Sequence, residues 1–120
     1  MARYVDCFVI PVPSKNLKAY RAMAKASAKA WIKAGALEYV ETLADDASKG
    51  KTTSFPRSVN LKAGEKVVLG YAIYKSRAHR DSVMAKIHKD ESLMKYWENM
   101  PFDGMRMIWG VFSSFTTSKK

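Results

Sequence analysis

The sequence predicts an α+β domain with the element order β-α-β-β-α-β, the ferredoxin-like arrangement of an antiparallel sheet with two helices on one face. Three observations predict it. The 120-residue chain has the length of one domain. Strand-like runs rich in Val, Ile, Tyr and Phe alternate with stretches of helical periodicity. The two strand–helix–strand halves are of similar length. We therefore expect residues 1–120 to form a single domain.

The first half of the chain begins with a predicted strand over residues 3–11, which the prolines of the Pro-Val-Pro sequence at 11–13 end. Ser14 is a suitable N-cap for a helix over 15–34, which is rich in Ala, Lys and Met. Gly35 stands where a helix commonly ends. The apolar stripe of this helix is predicted to consist of Leu17, Tyr20, Ala24, Ala28 and Trp31.

The middle of the chain supplies two further predicted strands. Residues 36–43 form the first, and residues 66–74, with the sequence KVVLGYAIY, form the second. Between them, residues 45–65 are polar and long for a structureless loop. We expect Phe55-Pro56 to hold this stretch against the body of the domain.

The second half of the chain is predicted to supply the second helix and the last strand. Ser76 is expected to cap a helix over 77–89, and residues 93–100 predict a further amphipathic turn or two before Pro101. After the turn at Asp103-Gly104, the last strand is predicted over 105–115. We expect the tail at 116–120 to fray.

No predicted strand has one cleanly polar face, although a sheet face that meets water should be polar. Strand one carries Tyr4, Phe8 and Ile10 on one side and Val5, Cys7 and Val9 on the other. The last predicted strand carries Met105, Met107, Trp109 and Val111 on one side and Ile108 and Phe112 on the other. Because two helices cannot cover both faces, we expect a homodimer whose sheets face each other in a shared barrel.

Charge distinguishes the first helix from the rest of the chain. The net charge is +10, and the stretch 14–34 contains six basic residues and no acidic residue. Such a face can bind phosphates, or it can be a solvated outer face whose aliphatic stems cover apolar surface. Nucleic-acid binders interleave aromatic residues for stacking, whereas Tyr20 and Trp31 are predicted to be buried. We therefore favour solvation and expect no nucleic-acid partner. The basic stripe comprises Lys18, Arg21, Lys25, Lys29 and Lys33.

Several classes of function lack sequence support. No apolar run approaches the ~20 residues of a membrane span, and the N-terminal residues lack the features of a signal peptide. The single cysteine, Cys7, allows no intrachain disulfide and no thiolate cluster. No metal-binding spacing and no nucleotide-binding glycine motif is present. The sequence predicts a cytoplasmic protein without metal or cofactor.

Asp6 is the first candidate catalytic residue. It lies in a strand between Tyr4 and Phe8 on the same face, and burial among aromatic rings disfavours the ionised form of a carboxyl group, which suits a general base. The alternative is a structural role, in an ion pair or in backbone hydrogen bonds that hold the dimer together.

His79 is the second candidate catalytic residue. With Arg77 it lies in the first turn of the predicted second helix, where free N–H groups favour anions and disfavour a cationic imidazole. Arg77 and Arg80 could then help to bind an anion. The alternative is that His79 caps or packs the helix and Arg80 pairs with an acid on the loop. We expect Asp6, Tyr71, Arg77, His79 and Trp109 to line or gate a ligand pocket.

Six motifs resemble one family. They are YVD at 4–6, FVIPVP at 8–13, GALEYVE at 35–41, TSFP at 53–56, YKSRAHRD at 74–81 and MPFDGMRM at 100–107. On these motifs, which span nearly the whole chain, the sequence is similar to the YbaA-like family of bacterial proteins of unknown function. The resemblance implies the fold of the dimeric α+β barrels. That superfamily includes cofactor-independent monooxygenases, haem-degrading enzymes and stress-responsive proteins.

Three functional hypotheses follow. The first is a dimeric barrel that binds a small, mainly apolar molecule between sheet and helices, with or without cofactor-free oxygenase chemistry. The second is a non-catalytic stress or interaction protein with no ligand pocket. The third, haem degradation, is weaker because strand one has Asp6 where an amide is expected.

Overall fold

The computed structural model describes residues 3–120, and its core is one four-stranded antiparallel sheet with the strand order β2-β3-β1-β4. The strands are β1 (Tyr4–Pro13), β2 (Glu38–Leu43), β3 (Glu65–Tyr74) and β4 (Ile108–Ser113). The helices are α1 (Leu17–Ala34), α2 (Phe55–Ser58), α3 (Arg77–Ile87) and α4 (Glu91–Glu98). Long central strands β1 and β3 pair along their whole length. This order confirms the ferredoxin-like α+β fold.

Helix α1 follows a 3₁₀ turn at Ser14–Asn16 and ends at Gly35, whose φ of 116° lies in the left-handed region that glycine adopts without strain. Its buried side is offset from the predicted stripe, because Met23 and Ser27 face the sheet directly while Ala24 and Ala28 lie at the margin. The buried residues of α1 are Tyr20, Met23, Ser27, Ala30 and Ala34. The five basic residues of the stripe are all exposed on the outer side of the helix.

The second helical region is divided into α3 and α4. Ser76 caps α3 by accepting a hydrogen bond from the backbone N–H of His79, at 3.1 Å. Asp90 caps α4 by accepting from the N–H of Ser92, at 2.9 Å. Both helices pack beside α1, and buried Val83, Ile87 and Leu93 join its core. None of the helices within residues 3–120 is sufficiently long and apolar to span a membrane.

The prediction for the last strand was wrong at its start. Residues 104–106 form a 3₁₀ turn, and β4 begins only at Ile108. Asp103 stabilises that turn by accepting a hydrogen bond from the backbone N–H of Met105, at 3.0 Å. Met105 is 94% exposed as a result. It therefore shares no sheet face with Trp109.

The polar stretch after β2, which includes the short helix α2, folds over one end of the second sheet face, the face opposite α1, α3 and α4. Pro56 is buried within α2, and Val59 just beyond it packs with Val9 and Val67 of the sheet. Phe55, which was expected to hold the stretch in place, is half exposed. Pro56 and Val59 therefore anchor this segment.

Arg106 joins this segment to the turn before β4. Its guanidinium donates two hydrogen bonds to Glu65, at 2.8 and 2.6 Å, and one to Asp103, at 2.9 Å. It also donates to the backbone carbonyl of Asn60, at 3.0 Å. Bidentate pairing of this kind is the strongest geometry that an Arg–carboxylate contact adopts. Arg106 therefore links the residues that follow α2, strand β3 and the turn before β4.

The ion pairs of Arg106 with Glu65 and Asp103 predict that part of the folding stability is lost in acid. Hydrogen bonds from Arg106 hold the pKa values of Glu65 and Asp103 below their usual range. Acids of this kind stabilise the fold above their unfolded-state pKa, and that contribution disappears as the pH falls through the lowered folded-state values. We expect Arg106→Gln to narrow the difference between melting temperatures measured near neutral pH and at about pH 3.

Arg57→Gln is the matched control for this measurement. Arg57 holds the same segment through the backbone carbonyls of Lys49 and Gly50, at 3.0 and 2.9 Å, and not through a carboxylate. Its loss should lower the melting temperature by the same amount at both pH values. Equal acid sensitivity of Arg106→Gln and the native protein would contradict the prediction.

The second sheet face is mostly apolar and only partly covered. Beyond the patch that Val59 covers, Ile108 is 43% exposed and Phe112 is 61% exposed. Single exposed apolar residues are ordinary on a protein surface, whereas a contiguous apolar sheet face indicates a binding surface. Leu69 packs with the Val59 cluster, and Glu38 and Thr42 make the β2 edge of the face polar. The remaining apolar residues of this face are Val5, Cys7, Val40, Tyr71, Ile73, Ile108 and Phe112.

Candidate functional site

A cavity of about 260 Å³ lies between the helix-bearing sheet face and helices α1, α3 and α4. Most of its wall is aromatic or thioether: Phe8, Tyr20, Trp31, Tyr39, Trp97, Phe102 and Trp109, with Met23, Met84, Met100 and Met107. Three charged groups, Asp6, Glu41 and Arg80, interrupt this wall. An apolar cavity with a few convergent polar groups is the usual form of a small-molecule site.

Asp6 lies at the centre of a hydrogen-bond chain beside the cavity. Its carboxylate accepts from the hydroxyl of Tyr74, at 2.7 Å, and from Nε of Arg80, at 3.2 Å to each oxygen. Trp31 extends the chain by donating its indole N–H to the Tyr74 oxygen, at 3.0 Å. Burial, followed by the hydrogen bond to Asp6, raises the pKa of Tyr74, so this hydroxyl stays protonated and acts as a donor.

Asp6 itself is only 6% exposed, and the ion pair with Arg80 compensates its burial. It lies on the helix-bearing face, away from the face that the sheet leaves uncovered. The structural role considered for it is therefore an ion pair within the chain, not a contact that holds a dimer together.

Arg80 reaches the cavity from the first turn of α3. Its guanidinium carbon lies 5.7 Å from the ring centre of Trp109, within the range of a cation–π contact. Burial opposes its charge, but the hydrogen bonds and the charge of Asp6 outweigh burial and raise the pKa of Arg80. Its acidic partner lies on β1, not on a loop as the alternative reading of the sequence had it.

Glu41 is a second acidic group in the wall, on β2. One carboxylate oxygen accepts a short hydrogen bond from Tyr20, and the other accepts from Tyr39, at 2.7 Å. Burial, with the charge of Glu41, raises the pKa of both tyrosines, so both hydroxyls remain donors. The alternation of Tyr39 and Glu41 along β2 places them on one face, but only the tertiary structure brings Tyr20 of α1 to them.

Gly70 shapes the floor of the cavity. It pairs with Phe8 across β1 and β3, and the Phe8 ring lies over the glycine backbone. A Cβ at Gly70 would be 2.2 Å from Cζ of Phe8 and 3.1 Å from Cγ of Glu41. Because both of these side chains line the cavity, any side chain at Gly70 would push them into it.

The structure brings together only part of the predicted site. Asp6 and Trp109 both line the cavity. Tyr71 does not, because it follows Gly70 by one residue and points to the opposite sheet face. There its hydroxyl donates to Glu38, at 3.1 Å. The predicted grouping of Tyr71 with Asp6 is therefore corrected.

Arg77 and His79 also lie outside the cavity wall. Nδ1 of His79 accepts a hydrogen bond from the backbone N–H of Lys75, at 2.9 Å, and the ring packs edge-on against Tyr74, with ring centres 6.0 Å apart. Arg77 is exposed. His79 thus packs at the start of α3, as the alternative reading supposed. Within residues 3–120, no three metal-ligating side chains come together.

Sequence comparison identifies relatives over most of the chain. Residues 3–104 match the family model described as "Protein of unknown function (DUF1428)". The uncharacterized protein YbaA of Escherichia coli strain K12 is 41% identical over 112 residues, which cover 93% of this chain and 96% of that protein. The uncharacterized protein YbaA of Shigella flexneri matches with the same identity and coverage.

Structural comparison supports the fold. A dimeric ferredoxin-like protein from an uncultured marine organism has a TM-score of 0.62 at 10% sequence identity, covering 100% of both chains. Rv0793 from Mycobacterium tuberculosis has a TM-score of 0.51 at 15% identity, covering 99% of this chain and 98% of that one. At such identities the similarity concerns the fold alone.

Proposed function

This chain belongs to the DUF1428 family, whose YbaA relatives are uncharacterized, and we propose that it binds a small, mainly apolar molecule in its cavity. The observation that carries the proposal is the wall of seven aromatic rings and four methionines around Asp6, Glu41 and Arg80. We also propose the cytoplasm as its location, as the sequence predicts.

The composition of the wall favours a flat ligand. Aromatic side chains stack on planar molecules, and methionine adapts its shape to fill the space around them. The cavity volume of about 260 Å³ is just below the roughly 300–1,000 Å³ of typical drug-sized sites. This size supports a bicyclic ligand better than haem.

Asp6 is better suited to orienting a neighbour than to abstracting a proton. Its two oxygens already accept hydrogen bonds from Tyr74 and Arg80. A general base needs a free oxygen within hydrogen-bond reach of the substrate proton. Ligand binding with Asp6 as a positioning residue is therefore the function that the geometry supports best.

We further propose that the protein is a homodimer joined through the second sheet face. That face is mostly apolar and only the segment around α2 covers part of it, and one of the solved structures with the same fold is described as dimeric. The cavity opens on the other side of the sheet. Each protomer therefore keeps its own ligand site.

We propose that the basic stripe of α1 serves solvation. Lys18, Arg21, Lys25, Lys29 and Lys33 are exposed on the side of α1 that faces away from the sheet. No aromatic side chain of α1 accompanies them there, since Tyr20 is buried and Trp31 lines the cavity. Such a face lacks the stacking platforms of single-strand binders.

A binding test uses a panel of naphthoquinone, riboflavin and haem. We expect naphthoquinone to raise the melting temperature, because a ligand that binds only the folded state stabilises it by mass action. Gly70→Ala should weaken that binding by about tenfold, since Phe8 and Glu41 are pushed into the cavity. Quenching of Trp31, Trp97 and Trp109 fluorescence gives the affinity.

Gly104→Ala makes the same chemical change where there is room, because a Cβ there would meet only Met100 Sδ, at 3.8 Å. It should bind naphthoquinone with native affinity. A panel in which no compound shifts the melting temperature would contradict the proposal and favour a protein without a ligand pocket. Circular dichroism verifies that both variants are folded.

A further inference from the structure

The geometry points to Arg80 as the residue that orients the ligand, and to a neutral, planar compound with a carbonyl oxygen as the class of ligand. This inference rests on the proposed function, because it assumes that the cavity is a ligand site. It goes beyond the proposed function by naming the part of the ligand that is recognised, the protein atoms that recognise it and the charge of the ligand.

Arg80 has unused donors. A guanidinium group carries five N–H donors. Nε is used by Asp6, and Nη1 lies 3.7 Å from Asp81, beyond hydrogen-bond distance. Within residues 3–120, neither Nη1 nor Nη2 forms a hydrogen bond. The terminal nitrogens can therefore donate to an acceptor atom of a ligand.

The position of Arg80 is held from two sides. Asp6 engages Nε through both carboxylate oxygens, and the Trp109 ring lies against the guanidinium. Asp6 in turn accepts a hydrogen bond from the Tyr74 hydroxyl, which itself accepts one from the indole N–H of Trp31. Because Trp109 also lines the cavity, a planar molecule that packs beside this ring lies close to the guanidinium. Pre-organised donors of this kind bind at a low entropic cost.

The charges of the wall favour a neutral acceptor over an anion. Arg80 is the one cationic residue among those that line the cavity, and Asp6 already balances its charge. Glu41 adds a further carboxylate to the same wall, held by the hydroxyls of Tyr20 and Tyr39. A ligand carboxylate would bring in another negative charge at a site of low dielectric, at a cost in free energy. A carbonyl oxygen accepts from the guanidinium without that cost.

Three naphthalene derivatives of nearly equal shape test the inference. Naphthyl methyl ketone carries the carbonyl, ethylnaphthalene lacks oxygen, and naphthoate is anionic. We expect the ketone to bind about tenfold more tightly than ethylnaphthalene, because it gains a hydrogen bond from a charged donor. Naphthoate should bind more weakly than the ketone. Affinities are measured by tryptophan quenching and by calorimetry.

Two variants assign the preference to Arg80. Arg80→Lys keeps the charge opposite Asp6 but removes the planar fork. It should reduce the preference for the ketone below about threefold, with little change for ethylnaphthalene. Asp6→Asn/Arg80→Met removes both charges together and should make ketone and ethylnaphthalene bind equally. Arg77→Lys, on the exposed side of α3, is the matched control and should keep the native preference.

The outcomes separate this inference from the proposed function. If no derivative binds, both are overturned. If all three bind with equal affinity, the cavity binds apolar molecules but Arg80 does not orient them. If naphthoate binds most tightly, Arg80 recognises anions and the neutral class is wrong. A ketone preference that Arg80→Lys leaves intact would assign recognition to another residue.

Discussion

Arg80→Met should lower the free energy of unfolding by about 3 kcal/mol, because it leaves the Asp6 carboxylate buried without its counter-charge. Asp6 and Arg80 have side chains that are 9% and 19% exposed, so solvent replaces little of what is lost. For a domain of this size the change corresponds to a fall in melting temperature of roughly 10–15 °C. Urea unfolding measures the free energy directly.

The companion variants form a double-mutant cycle. Asp6→Asn removes the charge but keeps the shape of the side chain. It should lower the free energy of unfolding by less, about 1–2 kcal/mol, because Arg80 still has Asp81 nearby. In Asp6→Asn/Arg80→Met no unpaired charge is left, so part of the loss should be recovered. We expect a coupling free energy of about 1–3 kcal/mol. Additive single losses would show that the two side chains do not stabilise each other.

Light scattering of the native protein should give about twice the 13.5 kDa mass of one chain. Ile108→Lys/Phe112→Lys should reduce this to the mass of a single chain, because two buried, unpaired ammonium groups would oppose packing of the apolar sheet faces. Each side chain lies on the second face and neither belongs to the buried core, so the isolated protomer should retain its helical circular dichroism signal.

Met105→Lys is the control for this experiment. Met105 is 94% exposed in the turn before β4 and contributes to no sheet face. Its substitution should leave the mass unchanged. A native protein that remains monomeric at micromolar concentration would contradict the dimer, and a dimer that tolerates both lysines would place the interface elsewhere.

Part of the candidate site could be predicted from the sequence. Asp6 and Trp109 were identified because alternation along a strand shows which polar or aromatic residues share a face with apolar ones. The same rule could not exclude Tyr71, because its face relative to Asp6 depends on the pairing of Asp6 with Ala72 across two strands, which the structure gives. Glu41 was not predicted as a site residue, because its partner Tyr20 lies on α1.

The order β-α-β-β-α-β, the helix ends at Ser76 and Gly35 and the family follow from periodicity, residue type and motifs along the chain. The predicted cap at Ser14 was wrong, because Ser14 lies in the 3₁₀ turn before α1 and its side chain does not cap the helix, and α2 was not predicted. Only the packed fold shows which sheet face α1, α3 and α4 cover, that Arg80 and not His79 reaches the cavity, and that Met105 lies outside β4. The physical reason is distance along the chain: the Asp6–Arg80 pair joins residues 74 positions apart. Local propensity carries no information about such a contact, which forms only when α3 packs against the sheet.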